Sequence, residues 1–306
     1  MGSALDLAQG VPEGLFEGAS CAFGVFDGVH RGHAYLLDQA KRAARNSGGR
    51  FIALTFDIDP DERFHADRLK KLMSNRQRIE FLGQRADIVA VLPFTESFAG
   101  LSPQAFLDAT FSGSVPASVH VGSDLRFGCR AYGTVDDLQF WGELHGMDVC
   151  VHDLLQVEGA PITSTRIRKL LETGCIDQAN GLLGHPYTLE GTVRKGRGEG
   201  ADMGFRTANI IVPDLLRVLA DGVYAAYGIV DGTRYKAAVN VGVAATFADT
   251  ATATVEAHLL DFDGDLYGSS IVLEFVHWLR PMRKFDDIDE LIATVTGNIE
   301  WVRDNL

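Results

Sequence analysis

In the first half of the chain, short apolar runs alternate with longer stretches in which apolar residues recur every three or four positions. The runs are Ser20 to Val25, Phe51 to Phe56, Ile88 to Pro93 and Ser118 to Gly122, and the pattern predicts buried strands there. Between them the spacing predicts helices over Tyr35 to Arg45, Arg68 to Arg85 and Pro103 to Phe111. The first of these carries Leu36, Leu37, Ala40 and Ala44 on one side, and Asn46-Ser-Gly-Gly49 should stop it. Strands separated by helices imply right-handed crossovers and a parallel sheet covered on both faces. In such sheets ligands sit at the carboxyl ends of the strands.

The pattern changes after a helix predicted over Arg166 to Glu172. From Tyr187 onward apolar and polar residues alternate, with turn signals between them. Asp231-Gly232 joins Gly222–Val230 to Thr233–Val241, a strong hairpin signature. A second hairpin is expected from Thr254–Asp261, through Phe262-Asp-Gly264, to Ser270–Trp278. Ile288, Leu291, Ile292, Val295, Ile299 and Val302 then form the stripe of a closing amphipathic helix. The expected architecture is a Rossmann-like α/β parallel-sheet domain over residues 1–185, followed by a small antiparallel β-barrel with a C-terminal helix over 186–306.

A length of 306 residues suits two cores, and 46 % hydrophobic with 23 % charged residues is ordinary for a folded globular protein. The formal net charge of −13 argues against nucleic acid or an anionic membrane as partner. It also requires any anionic ligand to be held in a locally built pocket. No apolar run approaches the roughly 20 residues that cross a bilayer, and no leader or membrane span is expected. Cys21, Cys129, Cys150 and Cys175 are scattered without a CxxC pair, which points to a reducing cytoplasm rather than to disulfides or zinc. Oligomeric state is not legible in the composition.

Gly24-Val-Phe-Asp-Gly-Val-His-Arg-Gly-His33 falls where the first strand should hand over to a helix. Glycines there let backbone N–H groups approach phosphate oxygens, and the helix terminus adds partial positive charge. His30 and His33 are three apart and can share one face of the first helical turn. Two imidazoles at a phosphate site suit attack on an α-phosphorus with pyrophosphate leaving, a reaction that needs positioning and charge stabilisation rather than a covalent enzyme intermediate.

Phe26-Asp-Gly-Val-His-Arg-Gly-His33 resembles the HxGH signature of nucleotidylyltransferases, in the form found in bacterial bifunctional riboflavin kinase/FAD synthetases. Leu54-Thr-Phe-Asp57, Val121-Gly-Ser-Asp-Leu-Arg-Phe-Gly128 and Ile162-Thr-Ser-Thr-Arg-Ile-Arg168 resemble further segments of that family in the same order. The resemblance implies an FMN adenylyltransferase domain in which His30, His33 and Arg166 are catalytic, Arg166 lying on the β/γ-phosphates. It implies nucleotide or flavin contacts for Gly24, Phe26, Asp27, Gly28, Gly32, Asp124, Phe127, Ser164, Thr165 and Arg168.

In the second half, the glycine-dense run Gly191 to Gly204 precedes Phe205-Arg-Thr-Ala-Asn209, which resembles the flavokinase Phe-Pro-Thr-Ala-Asn motif. By that resemblance Thr207 and Asn209 hold Mg²⁺ with the nucleotide phosphates, and hard oxygen donors are what magnesium prefers. Gly196, Gly204, Asn240 and Arg283 are implied in nucleotide or flavin binding. Glu256, in Val255-Glu-Ala-His258, is implied as general base for the ribityl 5′-hydroxyl.

The implied substrates are riboflavin, FMN and ATP, with FAD as final product. Departures from the family pattern are Asp59 for a histidine, Ala201 for an arginine, Arg206 for the motif proline, Ala244-Ala245 for a nearby proline, and Pro281-Met282 for an acidic pair. They leave two other readings open: an enzyme with one decayed half, or a non-catalytic flavin- or nucleotide-binding regulator.

Overall fold

The computed structural model describes residues 2–58, 70–195, 205–213, 216, 219–243, 253–285 and 287–306. Asp59, Gly196, Ala201, Gly204, Ala244 and Ala245 lie outside the described residues. The chain forms two compact units, one from the described residues of 1–69 and 74–163, the other from those of 70–73 and 164–306.

The first unit is built on a six-stranded sheet. Its strands are β1 (Ser3–Asp6), β2 (Ser20–Phe23), β3 (Phe51–Phe56), β4 (Ile88–Leu92), β5 (Ser118–Gly122) and β6 (Asp148–His152), in the order β1-β4-β3-β2-β5-β6. Every neighbouring pair is parallel, and a short antiparallel pair, β7 (Gln156–Val157) and β8 (Ala160–Pro161), follows β6. The edge strands β1 and β6 are additions to the expected set. Neither is a continuous buried run, and half-exposed edge strands carry little apolar signal.

Residues 21, 23, 52, 54, 119 and 121 face a core with Phe106, Leu107, Leu138 and Trp141, contributed by helices Pro103–Thr110 and Val135–His145. Phe106 is its hub, with ring centroids 6.0 Å from Phe23, 5.1 Å from Phe98 and 5.4 Å from Phe127. Helix Arg31–Ser47 buries Leu36, Leu37, Ala40 and Ala44, and Gly48 closes it at φ +72°. The helix expected from Arg68 begins only at Asn75 and ends at Gly83, because Ser74 and Gln77 form a reciprocal capping box that fixes its start.

In the second unit, helices Ser164–Glu172 and Ile176–Leu183 precede a closed antiparallel barrel. Its strands are β9 (Tyr187–Arg194), β10 (Ala208–Ile211), β11 (Gly222–Val230), β12 (Thr233–Val243), β13 (Ala253–Leu259) and β14 (Ser270–Arg280), ordered β10-β13-β12-β11-β14-β9 and closed by β9 on β10. Asn180 fastens the second helix to the barrel by donating to Phe275 O (2.9 Å) and accepting from Tyr187 N–H (2.7 Å).

The Asp231-Gly232 hairpin forms as expected. The second expected hairpin does not: β13 pairs with β12 and β10, whereas β14 pairs with β11 and β9. Both edges of each strand are therefore taken, and the chain through Phe262-Asp-Gly264 crosses between them. Along β13, Val255, Ala257 and Leu259 are buried while Glu256 and His258 are half-exposed. The closing helix, Ile288–Asn305, lies on the outward side, where Ile299 and Val302 cluster with Ala225 and Leu260. Ile288, expected in its apolar stripe, is 61 % exposed because it sits in the first turn, ahead of the buried part of the stripe.

Removing the hub ring should unsettle the sheet. Phe106→Ala is expected to lower stability by about 3–5 kcal/mol, read as a lower urea midpoint for the aromatic core.

Candidate active site

At the carboxyl end of β2 the chain makes a tight loop with left-handed backbone at Phe26 (φ +60°), Gly28 (φ +80°) and Val29 (φ +35°). Val29 is buried and β-branched, so this conformation is strained and must be held from outside. Thr55 Oγ1 donates to Val25 O at 3.2 Å, and Arg78 donates to Val25 O and Phe56 O, each at 2.7 Å. Arg78 is 2 % exposed. Nothing in the sequence marks it, because an arginine inside an expected helix reads as a solvated charge.

His30 caps helix Arg31–Ser47, its Nδ1 accepting from the His33 backbone N–H at 3.3 Å. The two imidazoles stack with centroids 3.6 Å apart and planes 13° apart. A Cβ on Gly32 would stand 3.2 Å from the His30 ring, so the glycine makes room for the stack. Phe26 meets the His33 ring edge-on at 5.3 Å. His33 Nδ1 is buried without a hydrogen-bond partner among the described residues. Burial first, then the neighbouring His30 and Arg78, hold the His33 imidazole well below its ordinary pKa and keep it neutral. Because Nδ1 of His30 accepts a backbone N–H, the proton of that ring lies on Nε2.

Gly24, Phe26, Asp27, Gly28, Gly32 and both histidines are thus gathered in one loop. Asp124 is exposed beyond the end of β5, and a Cβ on Gly122 would come within 2.8 Å of its Oδ1. Phe127 is buried in the core. Mutual backbone bonds with Gly133 (3.2 and 2.8 Å) hold it against Phe106.

Ser164, Thr165 and Arg166 form the first turn of a helix in the second unit. Arg168 is buried there, and its Nε donates to Lys70 O at 2.6 Å, so that donor is committed to structure.

On the other face of the sheet His120 Nδ1 and His152 Nε2 are 3.0 Å apart, and Ser118 Oγ donates to Ser20 Oγ at 2.9 Å. Burial, reinforced by His152, pushes the His120 pKa down to about 4.

The barrel carries a separate constellation. Glu256 on β13 is the cross-strand partner of Asn209 on β10 and of Asn240 on β12. Asn240 is in turn opposite Val223, and Val223 opposite Arg280. This row borders a cavity of about 320 Å³ whose wall includes Thr207, Asn240, Glu256, Arg280, Arg283 and Phe285, with Leu291, Val295 and Ile299 of the closing helix. Arg283 lies 4.4 Å above the Phe285 ring and donates to Thr294 Oγ1 at 2.6 Å. Burial and the nearby Arg283 lower the Arg280 pKa. A second cavity, of about 670 Å³, is lined by Arg206, Thr207, His258, Asp261, Asp263 and Tyr267 among others. Among the described residues Thr207 and His258 alone line both cavities.

The chain thus carries a phosphate-type loop with paired imidazoles in one unit and, in the other, a barrel carboxylate lining one of two adjoining cavities. A family model described as FAD synthetase matches residues 14–166, and one described as riboflavin kinase matches 183–306. Two relatives named bifunctional riboflavin kinase/FMN adenylyltransferase are similar over most of their length. The Listeria monocytogenes protein is 34 % identical over 89 % of this chain and 87 % of its own, and the Bacillus subtilis protein 33 % identical over 90 % and 88 %. A crystal structure named as a macrolide-efflux protein from Streptococcus pneumoniae superposes with a TM-score of 0.85 at 28 % identity, covering 99 % of both chains. Among the described residues no helix is long and apolar enough to cross a membrane.

The chain belongs to the bifunctional riboflavin kinase/FMN adenylyltransferase family. It phosphorylates riboflavin to FMN with ATP and adenylylates FMN to FAD.

An unfolded histidine titrates near 6.5, whereas native His120 stays neutral to about pH 4. The unfolded state alone takes up a proton between these values, so this contribution to stability is complete above pH ~6.5 and is lost as pH falls toward 4. His120→Asn should flatten the decline in urea midpoint across that window, measured against the parent at each pH.

Proposed function

We propose that adenylyl transfer is carried by residues 1–185 and riboflavin phosphorylation by 186–306, each through the side chains gathered above. In the first centre an FMN phosphate oxygen attacks the α-phosphorus of ATP. The new P–O bond forms as the bond to the bridging α–β oxygen breaks, and pyrophosphate leaves. Nε2–H of His30 and His33 donates to the phosphate oxygens on which charge accumulates, and the helix N-terminus beneath them adds to that stabilisation. Arg166, by resemblance, meets the β/γ-phosphates. Asp27 and the glycines shape the loop around the polyphosphate, with Asp124 at the neighbouring strand end.

In the second centre the ribityl 5′-hydroxyl gives its proton to Glu256 as its oxygen attacks the γ-phosphorus, and ADP leaves. The observation that carries this reading is the register that sets Glu256 directly between Asn209 and Asn240. The order along the row supports a flavin running from Glu256, past Asn240, toward Arg280, Arg283 and Phe285.

Thr207 lines both cavities, and Asn209 lies two residues on in β10, opposite Glu256. Their neutral oxygens fit a hard cation whose remaining positions are filled by phosphate oxygens and water, so these two would hold Mg²⁺. When bound it would neutralise polyphosphate charge. The four free cysteines support a cytoplasmic setting.

Chromatographic separation of the flavins formed from riboflavin or FMN with ATP and Mg²⁺ tests the assignment. Glu256→Ala should lower FMN formation by about 10²–10⁴-fold and leave FMN-to-FAD conversion near the parent rate. His33→Ala should lower FAD formation by at least about 10²-fold and spare FMN formation. Equal loss of both activities in either variant would defeat the two-centre assignment.

A further inference from the structure

His258 is part of no assigned role, yet it stands with Thr207 at the junction of the two barrel cavities. It follows Glu256 by two positions on β13 and so shares its outward face, opposite Ala238 of β12. Its Nδ1 lies 2.8 Å from the backbone oxygen of Arg206. A carbonyl can only accept, so the imidazole donates from Nδ1. Phe205 meets the same ring edge-on, with centroids 6.2 Å apart and planes at 89°. One imidazole therefore touches the two residues that lead into Thr207.

Those residues have little regular structure to hold them. Residues 205–207 precede β10, which begins at Ala208, and Arg206 and Thr207 are exposed. A proline at 206 would lock φ near −65°, but this chain has arginine. The Arg206 guanidinium reaches Asp263 only at 3.8 Å, with both side chains more than four-fifths exposed. An exposed pair at that separation restrains the backbone little.

We propose that His258 is a positioning residue of the kinase centre. Its Nδ1–H clamps the Arg206 carbonyl and fixes Thr207 between the nucleotide and flavin cavities, a restraint on the turn that acts through a hydrogen bond where proline would act through its ring. The proposal rests on the assignment of Thr207 to the transfer centre.

The full-length protein serves for the test. His258→Asn keeps an N–H donor near the Nδ1 position, His258→Gln places one near Nε2 instead, and His258→Ala removes both. The clamp requires His258→Asn to retain riboflavin phosphorylation within about threefold of the parent. The Gln and Ala variants should lose about tenfold or more in kcat, with riboflavin KM changed much less. Adding Arg206→Pro to His258→Ala should recover several-fold of the loss by restoring a backbone restraint.

Calorimetric binding of ADP supplies a readout apart from turnover. Its affinity with Mg²⁺ should fall about tenfold in His258→Ala and stay near the parent value without Mg²⁺. FMN-to-FAD conversion, assigned to residues 1–185, should persist in every variant and so report intact folding.

Retention by His258→Gln with loss in His258→Asn would overturn the clamp in favour of substrate contact through Nε2. Parent-like behaviour of His258→Ala, or no recovery on adding Arg206→Pro, would overturn it as well. Thr207→Ala tests the underlying assignment separately: unchanged phosphorylation there would remove that assignment, and the clamp with it.

Discussion

A strand offers each side chain one of two faces, and in both units one face is committed to apolar packing. In the sheet, Cys21, Phe23, Ile52, Leu54, Val119 and Val121 point into the aromatic core around Phe106. Polar groups are then confined to the opposite face, where Ser20, Ser118 and His120 form their chain, or to the strand ends, where the histidine loop lies. In the barrel, Val255, Ala257 and Leu259 are buried, so Glu256 and His258 must point outward. The outward face borders a cavity because the closing helix, with Arg283 and Phe285, walls one over it. Parity along the backbone thus decides where chemistry can occur before any individual residue is chosen.

The second constraint is charge. A chain of net charge −13 that handles polyphosphates must concentrate cationic and donor groups where they are needed. It does so by different means in the two units. In the first, two stacked imidazoles, that of His33 held neutral, stand at a helix N-terminus, and the nearby cation, Arg78, is buried and spent on the carbonyls of Val25 and Phe56. In the second, Arg280 and Arg283 line the smaller barrel cavity, burial and then the neighbouring Arg283 lower the Arg280 pKa, and Arg283 is steadied by Glu290 at 3.1 Å and by the Phe285 ring. Direct positive charge is thus placed at the Arg280 end of the row rather than on the strands beside Glu256.

Much of this was legible in the sequence because period and turn chemistry are local signals. The buried set Leu36, Leu37, Ala40 and Ala44, the Asp231-Gly232 hairpin and the outward position of Glu256 all follow from spacing alone. What escaped depends on partners far along the chain. β13 and β14 look like a hairpin until their other neighbours are known, and β1 and β6 are too exposed to announce themselves. The backbone bonds with Gly133 that hold Phe127 against Phe106 leave no mark in local spacing. Arg78 and His258 act on backbone oxygens 53 and 52 residues away, and no spacing rule reports such a bond.

These long-range bonds also bear on how departures from a motif should be judged. Arg206 forfeits the fixed φ of proline, which taken alone argues for a loose turn ahead of Thr207. A loose turn costs activity only if nothing else fixes the carbonyl, and here an imidazole donor lies 2.8 Å from it. The strained loop at Val29 makes the same point from the other side, since its geometry persists through Thr55 and Arg78 rather than through its own residue types. In both units, then, these irregular backbone segments are held by side chains reaching from neighbouring elements. A motif substitution is tolerated to the extent that such a tether remains, which makes the tether, more than the motif letter, the feature that preserves the geometry.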